Sequence, residues 1–185
     1  MTSPSAPEIS SSQTGTCTET GCERPSVRGA RRCRVHLAEA LRAEGETIPF
    51  KDPELAGVAA AAIHLTREAL NGFSNGPIDA SAPSSAIDMY ALLDPAADWA
   101  GAQVALDTLG ARLADTFGGA VVSPPMEFMS NVLLRLQVGV PTPLAEELLP
   151  RLERAVEALV REMVGPETSL MVTVQPAEEQ DGPGA

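Results

Sequence analysis

Apolar residues recur at helical spacing through much of the chain. The clearest stripe lies at residues 53–71, where apolar side chains follow one another at three or four positions. Asp52 and Pro53 precede the stripe as a capping carboxylate and a proline at the first helical position. Gly72 follows it. This pattern predicts a helix from Pro53 to about Asn71.

Four more helices are predicted downstream, each opening at a residue that can cap it. The openings are Ser84 or Ser85 before AIDMYALL, Asp94-Pro95, Ser123-Pro124 and Thr142-Pro143. The Asp94-Pro95 helix is predicted to end near Phe117, and the last one at Gly165-Pro166. Pro150 lies within the last segment, where proline is expected to kink or restart a helix.

Helices with short connections predict an all-α fold, a four- to five-helix antiparallel bundle over residues 46–166. A small zinc-binding module is predicted at 17–45, a disordered tail at 1–16 and a flexible acidic tail at 167–185. Within that last tail SLMVTV, at 169–174, has the composition of a strand. It is interpreted either as an edge piece packed on the bundle or as a segment that binds a partner.

Composition and charge narrow the classes of function. The chain has 185 residues, of which 44% are apolar and only 3% aromatic, so its core must consist of Ala, Leu, Val and Met. A net charge of −12 argues against a surface that binds nucleic acid or anionic membrane throughout. The charge is uneven, because residues 17–42 hold six Arg and three acidic residues, whereas 43–185 hold seven basic and twenty-one acidic residues. This asymmetry indicates a small basic module on a large acidic body.

All three cysteines and one of the two histidines lie in that basic module, with the spacing C-x4-C-x10-C-x2-H. Three thiolates and one imidazole are a common tetrahedral zinc set. Gly21 lies between the first two cysteines and can adopt the positive φ that such a loop needs. The last two ligands are three residues apart, on one face of a predicted helix CRVHLAEALRAE. The predicted zinc ligands are Cys17, Cys22, Cys33 and His36.

Zinc binding at these four residues would have a structural role, and redox sensing is the alternative hypothesis for the same cysteines. A module of about thirty residues has little core of its own, so bound metal would supply its folding free energy. Four protein ligands close the site, which indicates structural rather than hydrolytic zinc. The alternative is a redox-sensing thiol set, since nearby arginines favour thiolates.

The same residues resemble the small treble-clef-like zinc knuckles, with a GCxRPxxRGxxxCxxH-type pattern, that recur in bacterial and phage regulatory proteins and some nucleases. The matching positions are Gly21, Cys22, Arg24, Pro25, Arg28, Gly29, Cys33 and His36, with Cys17 upstream. The resemblance covers about twenty residues and implies zinc binding, with DNA contact in some relatives. The nuclease relatives need further His and Asn residues, whereas the only other histidine here is His64.

Four arginines crowd the knuckle: Arg28, Arg31, Arg32 and Arg34. They are interpreted either as a patch that contacts nucleic-acid phosphates or as a basic face that is solvated or docks on the acidic bundle. The sequence contains no recognisable catalytic motif, and His64 is interpreted as an ordinary helix residue.

These observations predict a non-enzymatic, cytoplasmic zinc protein, since neither a secretory signal nor a membrane span is recognised. In the first hypothesis it is a regulatory or accessory protein, with the knuckle as recognition element and the bundle as a protein-binding or homo-oligomerising domain. In the alternative it is a protein–protein adaptor or a structural subunit of a larger assembly, in which zinc is purely structural.

Overall fold

The computed structural model describes residues 15–72, 84–164 and 170–176, in which it has four helices and four strands. In chain order they are α1 (Arg34–Ala43), α2 (Pro53–Leu70), β1 (Ser84–Leu93), α3 (Trp99–Phe117), β2 (Ala120–Phe128), β3 (Asn131–Pro141), α4 (Thr142–Val164) and β4 (Leu170–Pro176).

The all-α prediction is wrong, because the chain forms a four-stranded antiparallel sheet of order β2-β3-β1-β4. The predicted helix AIDMYALL is most of β1, and the helix predicted to open at Ser123-Pro124 is the β2–β3 hairpin. The physical reason is visible in β3, where buried and half-buried positions alternate from Leu134 to Val140. That alternation is the two-residue period of a strand with one face in the core.

The second half of the chain has the connectivity βαββαβ. β1 and β2 run parallel with β3 between them, and β3 and β4 run parallel with β1 between them. This is the ferredoxin-like split βαβ arrangement. α3 and α4 pack against each other and against the sheet, so both cover one face of it. Ile87 and Met89 of β1 and Leu134 and Leu136 of β3 are buried beneath these helices.

The two edge strands differ. β2 contains Pro124 and Pro125, and its register with β3 shifts between Ser123 and Met126. A two-residue loop, Met129 and Ser130, joins it to β3 with positive φ at both positions, as a type I′ turn requires. β4, at the other edge, contains most of SLMVTV. Of the two interpretations of that segment the edge piece is observed, on a sheet rather than a bundle.

The middle of α2, from Ala56 to Ile63, is buried on every side. It packs against α1 on one side and against α3 and α4 on the other. Ala59 through Ala62 have no exposed surface, which is typical of a helix that lies inside a protein. Val27 of the knuckle and Leu37 and Leu41 of α1 belong to the same cluster of buried residues as the sheet. The layers are therefore sheet, α3 with α4, α2, and then α1 with the knuckle.

The predicted start of α2 is confirmed, whereas the predicted start of α3 is wrong by four residues. Asp52 caps α2 by accepting hydrogen bonds from the backbone N–H groups of Glu54 and Leu55, at 3.0 and 2.9 Å. α3 begins later than predicted, with Asp98 rather than Asp94 as its cap. α4 continues through Pro150 as one helix. The predicted tails lie mostly outside the described residues, except that 170–176 form β4.

Candidate metal centre

A tight loop presents the first two cysteines. The backbone N–H of Cys17 donates to the carbonyl of Arg24 at 2.9 Å, and that of Cys22 donates to Glu19 at 3.0 Å. Gly21 has φ 78°, so the positive φ expected of this loop is confirmed. A bridge between Thr16 and Pro25 closes the loop at its base. Both sulfurs are thereby held on one side of a short hairpin.

The other two candidate ligands come from the start of α1. Cys33 is its N-terminal flanking residue, with extended φ and ψ, and its carbonyl accepts the first helical hydrogen bond from Leu37 at 2.8 Å. His36 lies in the first turn. The N–H of Val27 donates to the carbonyl of Arg32, which ties the loop to this helix start. The predicted helix is therefore present, with Cys33 as the residue just before it and His36 in its first turn.

The four side chains converge on one point. Their ligand atoms all lie within 4.8 Å of one another. Nδ1 of His36 is 3.3 Å from Sγ of Cys17 and 3.5 Å from Sγ of Cys33, and the sulfurs of Cys22 and Cys33 are 3.8 Å apart. None of the three cysteines is in a disulfide. The cluster is close enough to bind a metal ion.

Electrostatics at the cluster favours a cation. Burial raises the pKa of the Cys17 thiol, but hydrogen bonds from the backbone at Cys33 and Glu19, and from His36, outweigh burial and lower this pKa to about 6. The backbone at Arg24 lowers the pKa of Cys22, yet burial and the neighbouring sulfurs of Cys17 and Cys33 raise it overall. One thiolate thus forms readily and disfavours a second beside it. A divalent cation would remove that repulsion.

The four predicted phosphate-binding arginines do not form one free patch. Nε of Arg32 donates to Glu19 at 2.8 Å, and Nη2 of Arg34 donates to Glu54 of α2 at 3.0 Å. Arg28 and Arg31 are exposed and have no ion pair within the described part of the chain. The structure thus divides the cluster into two arginines with internal partners and two that face solvent.

Sequence reasoning missed the contacts that attach the knuckle to the body. Glu54 also accepts a hydrogen bond from Nη1 of Arg24 at 2.9 Å. The hydrogen bond from Arg24 and the charges of Arg34 and Arg24 outweigh the effect of burial and lower the pKa of Glu54. The only sequence signal was the excess of arginine in the knuckle over an acidic body, which indicates attraction but no particular pair.

A second polar group went unrecognised on the sheet face opposite α3 and α4. Asp88 is buried and accepts hydrogen bonds from Nε and Nη2 of Arg135, at 3.2 and 3.0 Å. The guanidinium of Arg135 also lies 5.5 Å from the ring centroid of Tyr90, directly across the β1–β3 pair. Only a strand interpretation of both segments would have brought these residues together.

Comparison with known proteins gives no relative. No family model matches the chain, and neither the curated proteins nor the solved structures contain a match. Within residues 15–72, 84–164 and 170–176, no helix is both long and apolar enough to cross a membrane.

Proposed function

We propose that Cys17, Cys22, Cys33 and His36 bind one zinc ion. Zinc lies about 2.3 Å from sulfur and about 2.0 Å from nitrogen, so the edges of its tetrahedron are about 3.8 Å between sulfurs and about 3.5 Å between sulfur and nitrogen. The observed separations of 3.8, 3.3 and 3.5 Å fit those edges. This match is the observation that carries the proposal.

The zinc is structural in this proposal, and the protein is not an enzyme. Four protein ligands leave no coordination position for water or substrate. Cys17 and Cys33 are buried, which further limits access to the ion. Zinc would fix the hairpin to the start of α1, and so present Val27 and Leu37 to α2. The ion would act on the fold of the outermost layer.

The biological role that this arrangement supports best is that of an accessory or adaptor protein that binds another protein. Arg24 and Arg34 are paired with Glu54 of the chain's own α2, as expected for a module that docks on its own body. The β2–β3 hairpin also exposes four large apolar side chains, and exposed apolar surface favours a protein-binding role. They are Val121, Met126, Phe128 and Met129, with exposed fractions of 62, 49, 49 and 82%.

A second candidate function is nucleic-acid recognition by the knuckle. Arg28 and Arg31 favour it, because both are exposed and have no ion pair in the described residues. The pairs of Arg32 and Arg34 are themselves solvent-accessible, and such pairs exchange partners at little cost.

Metal analysis tests the zinc proposal. Protein purified without added metal should contain about one equivalent of zinc, and a chelator should make all three thiols reactive. The count is unambiguous because the chain has only three cysteines. Metal-free protein with reactive or oxidised thiols would overturn the proposal and favour the redox alternative.

Salt-dependent DNA binding separates the two roles. If the knuckle contacts phosphates, the full zinc-loaded chain should bind duplex DNA with a log–log salt slope of at least about 2, and Arg28→Ala with Arg31→Ala should abolish it. Arg161→Ala is the control, because Arg161 is an exposed residue of α4 that pairs with Glu157. Absence of salt-sensitive binding would leave the protein-binding role as the one supported.

A further inference from the structure

A cleft of about 440 Å³ lies between the knuckle, α2 and α4, away from the cysteine cluster. Arg28 contributes to it from the knuckle, Glu68 and Asn71 from the end of α2, and Arg151 and Arg154 from α4. Its volume is within the usual range for sites that bind small molecules. The cleft is therefore large enough for a ligand well above the size of a simple ion.

The cleft concentrates positive charge in an acidic protein. The chain has a net charge of −12 and only thirteen basic residues, yet three of them meet here. They come from segments more than one hundred residues apart, so the fold rather than a local run of sequence brings them together. The one acidic residue among those that line the cleft is Glu68.

Two of the arginines are anchored by their own helix. Nε of Arg154 donates to the carbonyl of Pro150 at 3.1 Å, and Nη2 of Arg151 donates to Glu147 at 2.8 Å. Arg151 also donates to the carbonyl of Asn71 at 2.6 Å, which joins α4 to the end of α2. Anchoring lowers the entropy that a guanidinium loses when it binds an anion. Arg28, on the opposite wall, forms no ion pair in the described ranges.

Glu68 is held against the knuckle. A Cβ at Gly29 would collide with its carboxylate, so Gly29 permits this close approach. Oε1 of Glu68 also lies 3.6 Å from Nε2 of His64, one turn earlier on α2. The three arginines outnumber Glu68 and Glu147, the carboxylate that pairs with Arg151, so the cleft keeps a net positive charge.

We propose that this cleft binds a small organic phosphate. Arginine presents planar pairs of N–H donors that match phosphate oxygens, and charge-assisted bonds of this kind are stronger than neutral ones. Leu65, Ala69, Ala155 and Ala158 form an apolar wall beside the arginines, suited to the uncharged part of such a ligand. The ligand would contact both the knuckle and α4. The inference does not depend on the zinc proposal.

Calorimetric titration of the full chain tests this inference, with adenosine monophosphate as probe and adenosine and succinate as comparisons. Saturable binding of the monophosphate, with binding of adenosine and succinate at least tenfold weaker, is the expected result. Arg154→Ala and Arg28→Ala should each weaken binding about tenfold or more, because each removes a charge-assisted contact. Arg161→Ala, on the same helix, should change it less than twofold. Glu68→Gln should strengthen it, because it removes the charge of the one acidic side chain that lines the cleft.

Two results would overturn the inference. One is the absence of saturable monophosphate binding, or binding that succinate or adenosine matches. The other is equal binding by Arg154→Ala, Arg28→Ala and Arg161→Ala, which would move the site elsewhere. Zinc content, measured on the same samples, reports on the metal proposal separately. Unchanged zinc in Arg28→Ala also shows that lost binding does not come from a damaged knuckle.

Discussion

The knuckle and the sheet hold together by different means. Residues 15–33 bury only a few side chains, among them Cys17, Val27 and Cys33, and two of these are candidate metal ligands. The sheet buries whole rows of apolar side chains under α3 and α4, with Ile87, Leu134 and Leu136 fully inaccessible. The short segment has almost no core, so its stability depends on the candidate metal ligands that meet at one point. The stability of the sheet depends on the apolar surface that it buries.

The two regions nevertheless meet on α2, whose opposite sides contact α1 and the α3–α4 layer. Val27, Leu37 and Leu41 are part of one continuous cluster of buried residues with the sheet. Loss of the knuckle would thus expose one side of α2 without removing the apolar core of the sheet. The knuckle is therefore expected to unfold while the sheet stays folded, and the substitutions below test this difference.

Loss of a metal ligand should have the largest effect. Cys22→Ser should abolish stoichiometric zinc and unfold the knuckle, since structural zinc sites supply about 10 kcal/mol or more to small modules. Hydrogen exchange should show residues 15–43 losing protection while β1 and β3 keep theirs. Glu23→Ser, which introduces the same side chain at the exposed neighbouring position, is the control and should retain zinc. Equal loss of protection in the sheet would show that both regions unfold as one unit.

A cavity in the sheet core should have the next largest effect. Leu136 has no exposed surface, so Leu136→Ala should lower the free energy of unfolding by about 3 kcal/mol. Urea denaturation measures this, and zinc content should not change. Leu92→Ala is the matched control, because it removes the same side-chain atoms from the opposite, partly exposed face of the sheet. It should lower the free energy of unfolding by only about 1 kcal/mol. A loss of zinc in Leu136→Ala would contradict the separation of the two regions.

The ion pairs of Glu46 connect the chain after α1 to the body. Glu46 is only 17% exposed at its side chain and pairs with Arg112 of α3 and Arg67 of α2. The hydrogen bond from Arg112 is the main reason that its pKa is lowered from the ordinary value of 4.5. A lowered folded-state pKa means that the stabilisation is present above pH 4.5 and is lost as pH falls through that lower value.

Glu46→Gln should therefore cost about 1 kcal/mol at pH 7 and flatten the decline of stability below pH 4.5. Thermal melting between pH 3 and 7 measures both effects. Glu44→Gln is the control, because Glu44 is exposed and its oxygen is 3.6 Å from Arg67. An unchanged acid limb in Glu46→Gln would show that this residue does not contribute to the pH dependence.

Glu162 should give the smallest effect, with the opposite sign. Burial raises the pKa of this α4 carboxyl, and the charge of Arg34 offsets only part of that rise. A raised folded-state pKa means that native stability is lost as pH rises through it. Glu162→Gln should therefore stabilise the protein slightly at pH 7, by about 0.5 kcal/mol, and not at pH 4. A lower melting temperature at pH 7 would show that attraction to Arg34 outweighs burial.

The parts that sequence predicted are those whose signals are local. Asp52 and Pro53 mark the start of α2 by two adjacent residues. The spacing of the cysteines and His36 likewise places two ligands in one hairpin and two at the start of one helix. The ligand cluster spans only twenty residues, so its convergence needs no long-range contact. By contrast, Glu54 pairs with Arg24 across thirty positions, which no local pattern encodes.

The strands were missed because their composition favours helix. β1 is rich in Ala, Leu and Met, which are good helix formers, and short apolar runs are ambiguous between the two periods. The hairpin turn uses Met129 and Ser130 rather than the Asn-Gly or Asp-Gly that normally mark a type I′ turn. The alternation from Leu134 to Val140 was the one available signal, and its Leu and Val residues also fit a helical stripe.

The alanines of α2 set the distance between the layers that pack on its two sides. Methyl side chains let neighbouring helices approach closely, and Gly57 brings the backbone of Arg34 within 3.1 Å of where a Cβ would lie. Larger residues at positions 59 to 62 would push the layer of α1 and the knuckle away from the α3–α4 layer. A partner that contacts both the exposed Arg28 and Arg31 of the knuckle and the β2–β3 hairpin would meet them at a separation that these alanine methyl groups help to set.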